Sequence, residues 1–435
     1  MAFPQPDVPS VPDPAAELNL TVSTIEGEAD LPPVSGRFMF FYTLMAFGAN
    51  FVLLMPTLFS IAYKVQLVDP AHKESALGIV AATGAIVTII VTPLIGQLTD
   101  QTRLKWGKRR PWIVFGIILS ALAATVIASA TTVPVIVVAY AVYVVGGCAI
   151  ITSVSPVIAD QVPDAQRGKL GAFSGVSAQL AGVAGSLVGS LLTGHLLLMF
   201  LLPSLSVAVL FVCYVFVVGD APAPLRAERE SAKQVLSNMV FNPIKYPNMA
   251  MVWLGRFLLF GGINFYSTYQ LYFLLDRLGF TPEVAGQRLA LVGGLGVLVA
   301  STAAVVGGIL SDRLHRRKIF VYLGIIFVAG GLILAAFAHD FGTYVASSLL
   351  LVAGAGAFGS VDIALASDVI PDKTAAGRWM SIIGVSGYVP TAIAPLVAPI
   401  ILATGGGSNY LALFTLGGVI TLGALITTRR ITGIR

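Results

Sequence analysis

The stretch GQLTDQTRLKWGKRRPWI, residues 96–113, decides how the rest of the chain is interpreted. Basic side chains make up five of its eighteen residues, although only 11% of the residues in the chain are charged. Long apolar runs lie on both sides of it. Its first five residues, GQLTD (96–100), have a near copy in GILSD (308–312), which lies 212 residues further along. The stretch therefore connects two apolar segments, and its copy predicts a chain built from two related halves.

The composition predicts a protein that crosses a membrane many times. The chain has 435 residues, 56% of them hydrophobic, and a mean hydropathy of +0.88. Apolar runs of about 20 residues cross a bilayer as helices, because backbone groups in lipid must pair within their own segment. We therefore expect an all-α membrane protein with twelve transmembrane helices. The predicted spans are 38–63, 75–98, 112–130, 133–158, 170–193, 196–218, 249–275, 284–310, 319–338, 342–366, 379–403 and 409–428.

Two further repeats support a duplicated architecture. DQVPD (160–164) recurs as DVIPD (368–372), and GANF (48–51) recurs as GINF (262–265). The three repeats keep the same order and nearly the same spacing. Tandem six-helix halves of this kind form two pseudosymmetric six-helix bundles with a cavity between them at the membrane midplane. The predicted parts are a disordered cytoplasmic tail, the first bundle, a cytoplasmic linker and the second bundle, at residues 1–36, 37–218, 219–247 and 248–435.

The basic residues predict the orientation in the membrane. An even number of spans places both termini on one side, and all but four of the 26 Lys and Arg residues then fall toward that side. The positive-inside rule makes it the cytoplasmic side. We therefore expect a multi-pass protein of the cell (inner) membrane with cytoplasmic N- and C-termini. The net charge of +5 is interpreted as a topology signal and not as a sign of nucleic-acid binding.

The charged connection resembles a known family signature. Several of its residues match the signature between helices 2 and 3 of the major facilitator superfamily: Pro93, Gly96, Asp100, Arg103, Gly107, Arg110, Pro111 and Trp112. More narrowly, they resemble the glycoside–pentoside–hexuronide:cation symporters and the sucrose-transporter-like proteins, although Gln101 stands where those proteins favour Arg. IADQVPDAQRGKLGAFSG (158–175) resembles the second cytoplasmic signature of the superfamily. The resemblance implies a transporter that works by alternating access.

The resemblance also implies a cytoplasmic gate, made of salt bridges between the halves when the cavity opens outward. Charge-assisted bonds that form in one state and break in another can act as such a gate. Lys105, Lys108 and Arg109 are interpreted first as topology signals, and ordinary loop charges of little energetic weight remain an alternative for the whole set. The predicted gate residues are Gly96, Asp100, Arg103, Arg110, Asp160, Arg167, Asp312, Arg313, Asp368 and Arg378.

One acidic residue, Asp362, lies clearly within an apolar span. The first half has Val154 at the equivalent position, so the duplication does not explain this carboxylate. An ionisable residue within the membrane is by default a functional hypothesis. We therefore predict that Asp362 couples transport to protons, with an Asp near a helix end that is tied to a backbone group or an Arg as the alternative. The span 75–98 contains no acidic residue, which argues against the carboxylate-based sodium site that the resemblance would allow.

Amide and aromatic side chains are predicted to line the central cavity. Such groups suit a polyhydroxylated solute, and also an amphipathic drug-like molecule. Arg256 has three open interpretations: it neutralises Asp362, contacts an anionic group of the substrate, or reaches the membrane interface. For each tyrosine, core packing or interfacial anchoring is the alternative. The predicted substrate-binding residues are Asn50, Asn264, Tyr143, Tyr266, Gln270, Arg256, Gln179 and Tyr388.

Together these features predict a secondary active transporter, most simply a proton-coupled symporter of a sugar or glycoside. Proton-coupled export of a hydrophobic metabolite or drug is the alternative. The spans contain no nucleophile–base pair and no set of metal ligands, so we expect neither an enzyme nor a metal site. The expected partners are a small-molecule substrate and the lipid bilayer, with no nucleic acid, no cofactor apart from the coupling proton, and a monomeric state.

Overall fold

A computed structural model describes residues 32–220, 241–314, 316–371, 376–404 and 408–431. The predicted tail, most of the predicted linker and Asp372 lie outside these ranges. Within them, twelve helices are long and apolar enough to cross a membrane, which confirms the predicted fold class. In chain order they are α1 Gly36–Val68, α2 Lys73–Gln101, α3 Arg110–Ser129, α4 Val133–Gln161, α5 Asp164–Leu191, α6 Leu196–Val217, α7 Pro247–Asp276, α8 Pro282–Leu314, α9 Arg317–Ala336, α10 Phe341–Asp368, α11 Ala376–Leu402 and α12 Tyr410–Arg430.

The two halves pack their helices in the same pattern. In the first half α1 packs against α5 and α6, α4 packs against α2 and α3, and α3 also packs against α6. Adding six to each number gives the pattern of the second half: α7 with α11 and α12, α10 with α8 and α9, and α9 with α12. The contacts between the halves obey the same symmetry, because α2 packs against α11 and α5 packs against α8. The duplication seen in the sequence is therefore a two-fold pseudosymmetry of the fold.

The bundle has two ends, which we name the Lys73 end and the Asp100 end after residues near the two ends of α2. Hydrogen bonds join the halves at the Lys73 end. Tyr269 donates to the backbone oxygen of Glu74 (3.1 Å), and Tyr272 donates to that of Ala62 (2.9 Å). Lys73 forms an ion pair with Asp276, which also accepts a hydrogen bond from the Tyr410 hydroxyl (2.8 Å).

Two glycines let the helices of opposite halves approach closely at the Lys73 end. A Cβ atom on Gly78 of α2 would lie 2.3 Å from the backbone oxygen of Pro395 in α11. A Cβ atom on Gly286 of α8 would lie 2.4 Å from Cβ of Ser190 in α5. Toward the Asp100 end the same helices have room, since a Cβ on Gly96 of α2 or Gly384 of α11 would meet no atom within 4 Å. The halves are thus in close contact at the Lys73 end, whereas these two glycines of α2 and α11 make no such contact toward the Asp100 end.

The stretch that opens α3 is fixed by a residue from the end of α6. The carboxylate of Asp220 accepts hydrogen bonds from the backbone N–H groups of Arg109 (2.8 Å) and Arg110 (2.9 Å). It thereby satisfies N–H groups that the first turn of a helix leaves without a partner. Gly107 has φ +111°, and a Cβ there would lie 2.1 Å from the Asp220 carboxylate. Only glycine suits both the backbone conformation and the space.

Candidate substrate cavity and charge networks

Two cavities lie between the halves, and we name them lobe A and lobe B of one cleft. Lobe A has a volume of about 500 Å³ and is lined by α1, α5, α7, α8 and α10. Lobe B has a volume of about 270 Å³ and is lined by α7, α11, α1, α2 and α4. When six is added to or subtracted from each helix number of lobe A, the helix numbers of lobe B result. The two lobes are therefore pseudosymmetric counterparts, one on each side of the α1–α7 pair.

The predicted asparagine pair occupies equivalent places in the two lobes. Asn50 lines lobe A and Asn264 lines lobe B. Each amide nitrogen donates a hydrogen bond of 2.8 Å to the backbone oxygen four residues earlier, that of Ala46 and that of Phe260 respectively. The bond holds each side chain against its own helix. Each side chain keeps its amide oxygen as an acceptor, to which a hydroxyl group of a solute in the cleft could donate.

Four of the other predicted residues also line the cleft. Gln179, Tyr266 and Gln270 line lobe A, and Tyr388, which is 55% exposed, lines lobe B. The Tyr266 hydroxyl is hydrogen-bonded to the Ser348 hydroxyl at 2.5 Å. Neutral amides, hydroxyls and aromatic rings therefore converge in the cleft, and none of the described side chains that line the two lobes is a carboxylate, Lys or Arg.

Tyr143 lies away from both lobes. Its side chain is fully buried in the first half, and its hydroxyl donates to the backbone oxygen of Val52 at 2.9 Å. Its neighbour Tyr140 does line lobe B and shares a hydrogen bond of 3.0 Å with Thr57. Sequence reasoning does not single out Ser348 or Thr57, because a lone Ser or Thr in an apolar span most often bonds its own helix backbone.

Arg256 and Asp362 form a buried ion pair inside the second half. Arg256 of α7 binds the Asp362 carboxylate of α10, and its Nε donates to the Ser386 hydroxyl of α11 at 3.0 Å. Asp362 is only 6% exposed, and its Oδ1 is buried without a hydrogen-bond partner among the described residues. Of the three interpretations of Arg256, the geometry matches the neutralisation of Asp362. The pair lies about two helical turns from Asn264, beyond the lobes toward the Asp100 end.

Two predicted gate residues of the first half, Asp100 and Asp160, belong to a charge network within that half. Asp160 binds Arg109 (2.5 Å) and Lys108 (2.8 Å), and Lys108 lies 3.8 Å from Asp100. Arg110 instead donates to the backbone oxygens of Val215 (3.0 Å) and Val218 (2.9 Å), so it anchors α3 to α6. Arg109 is interpreted from the sequence first as a topology signal. In the structure it is only 3% exposed and is the buried partner of Asp160.

Two of the remaining predicted gate residues, Arg167 and Asp368, form ion pairs within their own halves. Arg167 pairs with Asp164, and Arg317 pairs with Asp368. The guanidinium of Arg378 lies 5.6 Å from the centre of the adjacent Trp379 ring. Gly96 and Arg313 lie near the Asp100 end of α2 and α8, and Arg103 lies in the loop after α2. The side chain of Asp312 lies outside the described part of the chain.

The comparison with known families establishes what class of protein carries this cleft. The Major Facilitator Superfamily matches residues 37–303 and 289–432, so the chain belongs to that family of membrane transporters and is not an enzyme.

Relatives match only parts of the chain. An uncharacterized transporter of Buchnera aphidicola is 30% identical over 167 residues, which are 35% of this chain and 41% of that protein. Solute carrier family 45 member 4 of Mus musculus is 31% identical over 114 residues, 26% of this chain and 14% of that protein. An uncharacterized symporter of Synechocystis sp. is 37% identical over 110 residues, 25% of this chain and 16% of that protein. The matched segments thus span less than half of these relatives.

Solved structures match nearly the whole fold. A mutant of the nucleoside transporter NupG superposes with a TM-score of 0.74 at 11% identity over 91% of this chain and 100% of that one. A D-xylose–proton symporter superposes with a TM-score of 0.69 at 18% identity over 90% of this chain and 96% of that one. At these identities the likeness concerns the fold alone.

Proposed function

We propose that the protein takes up a sugar or glycoside by proton-coupled symport. The observation that carries this proposal is the chemistry of the cleft. Amide oxygens, hydroxyl groups and aromatic rings line it, and none of the described lining side chains is ionised. A sugar offers hydroxyl groups to the amides and hydroxyls, and C–H faces to the aromatic rings. The symporter of Synechocystis and the D-xylose–proton symporter are relatives in sequence and in fold whose names agree with such a role.

The Asp362–Arg256 pair is the proposed proton site. A carboxylate with one oxygen on Arg256 and the other unpartnered among the described residues can accept a proton on that second oxygen. Protonation removes the charge that holds Arg256, which leaves the guanidinium with its hydrogen bond to Ser386 and its place 5.5 Å from the centre of the Phe260 ring. Because α7, α10 and α11 all contribute, a change of protonation alters how the helices of the second half pack. A proton bound here could therefore favour one arrangement of the halves over the other.

The orientation and the gate complete the proposal. We assign the Asp100 end to the cytoplasm, in the cell membrane, because the basic residues concentrate there. The cleft then faces inward in this structure, with the Lys73 end as the closed outer side. In the outward-facing state the charged groups of the two halves at the Asp100 end would approach each other. Some of these charged groups would then leave their partners in the same half and pair with groups of the other half. The protein would work as a monomer.

The test is transport in proteoliposomes of wild-type protein and of Asp362→Asn. We expect an imposed proton gradient to drive the accumulation of radiolabelled sugars by the wild type. Asp362→Asn should abolish accumulation while exchange of the same sugar across the membrane continues. Asp340→Asn, at an exposed helix cap outside the cleft, is the matched control and should accumulate sugar normally. Gradient-driven accumulation that persists in Asp362→Asn would reject the proton site.

Export of a hydrophobic compound by proton antiport is the second candidate, because the lobes also carry many apolar side chains, among them Leu54, Leu289 and Val292. The sign of proton movement separates the two functions. A pH-sensitive dye inside the vesicles should report proton entry when a sugar is added outside. Proton exit on addition of an amphipathic compound, with no response to sugars, would establish export instead.

A further inference from the structure

We propose that Leu58 divides the cleft and thereby limits the size of the solute that the transporter accepts. The inference builds on the proposed function, because it names the residue that sets substrate length. It starts from the lining of the lobes. Leu58 is the residue that lobe A and lobe B share among the described residues that line them.

Two rows of side chains on α1 face the two lobes. Asn50 and Leu54 line lobe A, and Leu53, Thr57 and Ile61 line lobe B. Members of a row are four residues apart, so they follow one face of the helix. Leu58 continues the first row by sequence spacing but also lines the lobe of the second row. Its side chain therefore lies where the two lobes meet.

A local irregularity of α1 explains this position. Pro56–Ser60 forms a π-helical turn, which accommodates an extra residue in the helix. Pro56 has no N–H group and cannot continue the regular hydrogen-bond pattern. Within the turn the Thr57 hydroxyl donates to the backbone oxygen of Leu53 at 2.7 Å and shares a hydrogen bond of 3.0 Å with Tyr140. The turn changes the direction of the side chains that follow it, and Leu58 is in its middle.

Neighbouring contacts hold the turn in place. Phe59 and Ser60 are fully buried, and the turn packs against α5 and α7. The Leu58 methyl group Cδ1 lies 3.3 Å from the position that a Cβ on Gly182 of α5 would take. One turn further along, the Tyr272 hydroxyl binds the backbone oxygen of Ala62 and joins α7 to α1. Leu58 thus stands as an apolar partition between the two lobes and confines a solute to one of them.

The first test does not depend on the substrate. Gln270→Cys in lobe A and Thr391→Cys in lobe B are introduced together after Cys148 and Cys213 have been replaced by Ser. Both new cysteines belong to the second half, so movement between the halves does not change their separation. Bis-thiosulfonate reagents of increasing spacer length are then used to find the shortest one that joins them. We expect Leu58→Ala to accept a shorter spacer, because the path between the lobes becomes direct.

Leu54→Ala and Leu53→Ala are matched controls, since each lines one lobe only. Neither should change the shortest spacer, and Leu58→Phe should lengthen it. Leu58→Phe also covers the case in which Leu58→Ala fails to fold. Equal shortening by Leu58→Ala and Leu54→Ala, or no change in either Leu58 variant, would overturn the proposal.

The second test uses thermal stabilisation by a panel of hexoses and their disaccharides. We expect the wild type to favour a hexose, and Leu58→Ala to bind the corresponding disaccharide about tenfold more tightly than the wild type does. A wild type that binds the disaccharide as well as Leu58→Ala does would overturn Leu58 as the size limit. If no sugar stabilises any variant while the crosslinking result holds, the sugar function fails and the partition at Leu58 stands.

Discussion

Arg109 and Arg317 occupy equivalent positions in the two halves, and each binds the carboxylate that lies 51 residues further along the chain. Asp160 accepts from Arg109, and Asp368 accepts from Arg317. Each arginine also donates to a backbone oxygen of the helix that carries its acid. The duplicated unit therefore includes an ion pair that ties the start of the third helix of each half to the end of its fourth helix.

The two ion pairs should differ in their contribution to stability. The Arg109 side chain is 4% exposed, whereas that of Arg317 is 34% exposed. Arg109→Ala removes a buried side chain that donates to both Asp160 and the Ser153 backbone oxygen, whereas the exposed Arg317 pair is screened by water. We expect Arg109→Ala to destabilise the protein by about 2 kcal/mol and Arg317→Ala by about 1 kcal/mol or less. Both losses of stability are measured from unfolding temperatures in detergent. A larger loss in Arg317→Ala than in Arg109→Ala would contradict this expectation.

The Arg256–Asp362 pair predicts a compensating double substitution. Arg256→Gln leaves the buried Asp362 carboxylate without its cation, and we expect a loss of about 3 kcal/mol. Arg256→Gln combined with Asp362→Asn removes both charges and should recover most of that loss. The midpoint of thermal unfolding is compared among the wild type, both single variants and the double variant. Additive losses in the double variant would show that the two residues act independently.

The close glycine contacts predict how the balance between the two open states can be changed. Gly78→Val and Gly286→Val place side-chain atoms where the opposite half now lies, so the Lys73 end should open. The readout is the labelling of Gln270→Cys, in a background without Cys148 and Cys213, by a membrane-impermeant thiol reagent added on that side. We expect a severalfold faster reaction in both variants.

Two other glycines provide controls on the same helices. Gly96 of α2 and Gly294 of α8 have no atom within 4 Å of an added Cβ. Gly96→Val and Gly294→Val should therefore label at the wild-type rate. Equal acceleration by all four substitutions would mean that valine acts by loosening the helices and not by separating the halves.

Two buried tyrosines that the sequence predicts for the substrate site should behave differently toward the substrate. Tyr266→Phe removes a hydroxyl that lies at lobe A with Ser348, and we expect sugar affinity to fall by about five- to tenfold. Tyr143→Phe removes a hydrogen bond to Val52 outside the cleft and should lower stability by about 1 kcal/mol while affinity stays unchanged. Equilibrium binding and thermal unfolding are measured for both variants. A loss of sugar affinity in Tyr143→Phe would show that Tyr143 belongs to the substrate site.

The sequence was sufficient for the architecture because the evidence for it is long-range and redundant. Twelve apolar runs and three ordered repeats specify the helices and their duplication, and the structure confirms them. The asparagine pair could also be placed, since both residues belong to one of those repeats. Helical spacing then put Asn50 and Asn264 on the same relative faces of α1 and α7.

Partners of individual side chains were harder to predict because they depend on the direction in which each side chain leaves its loop or helix. The opening stretch has three consecutive basic residues, 108–110, and nothing local shows that Arg109 turns inward while Arg110 reaches α6. Aligning it with HRRK (315–318) at the spacing of the Asp160 repeat would have paired Arg109 with Arg317. The π-helical turn of α1 could not be predicted from a repeat, because the second half contains no proline at the position equivalent to Pro56.

The contact between Asp220 and Gly107 also has a mechanical meaning. Asp220 is the last described residue before the segment that joins the two halves, and it is held by the backbone of the loop before α3. A load applied to that segment, by a fused domain or a bound partner, therefore acts on the loop before α3 as well as on α6. The segment between the halves is therefore attached, through Asp220, to the loop before α3, which is part of the stretch 96–113 from which the fold was first predicted.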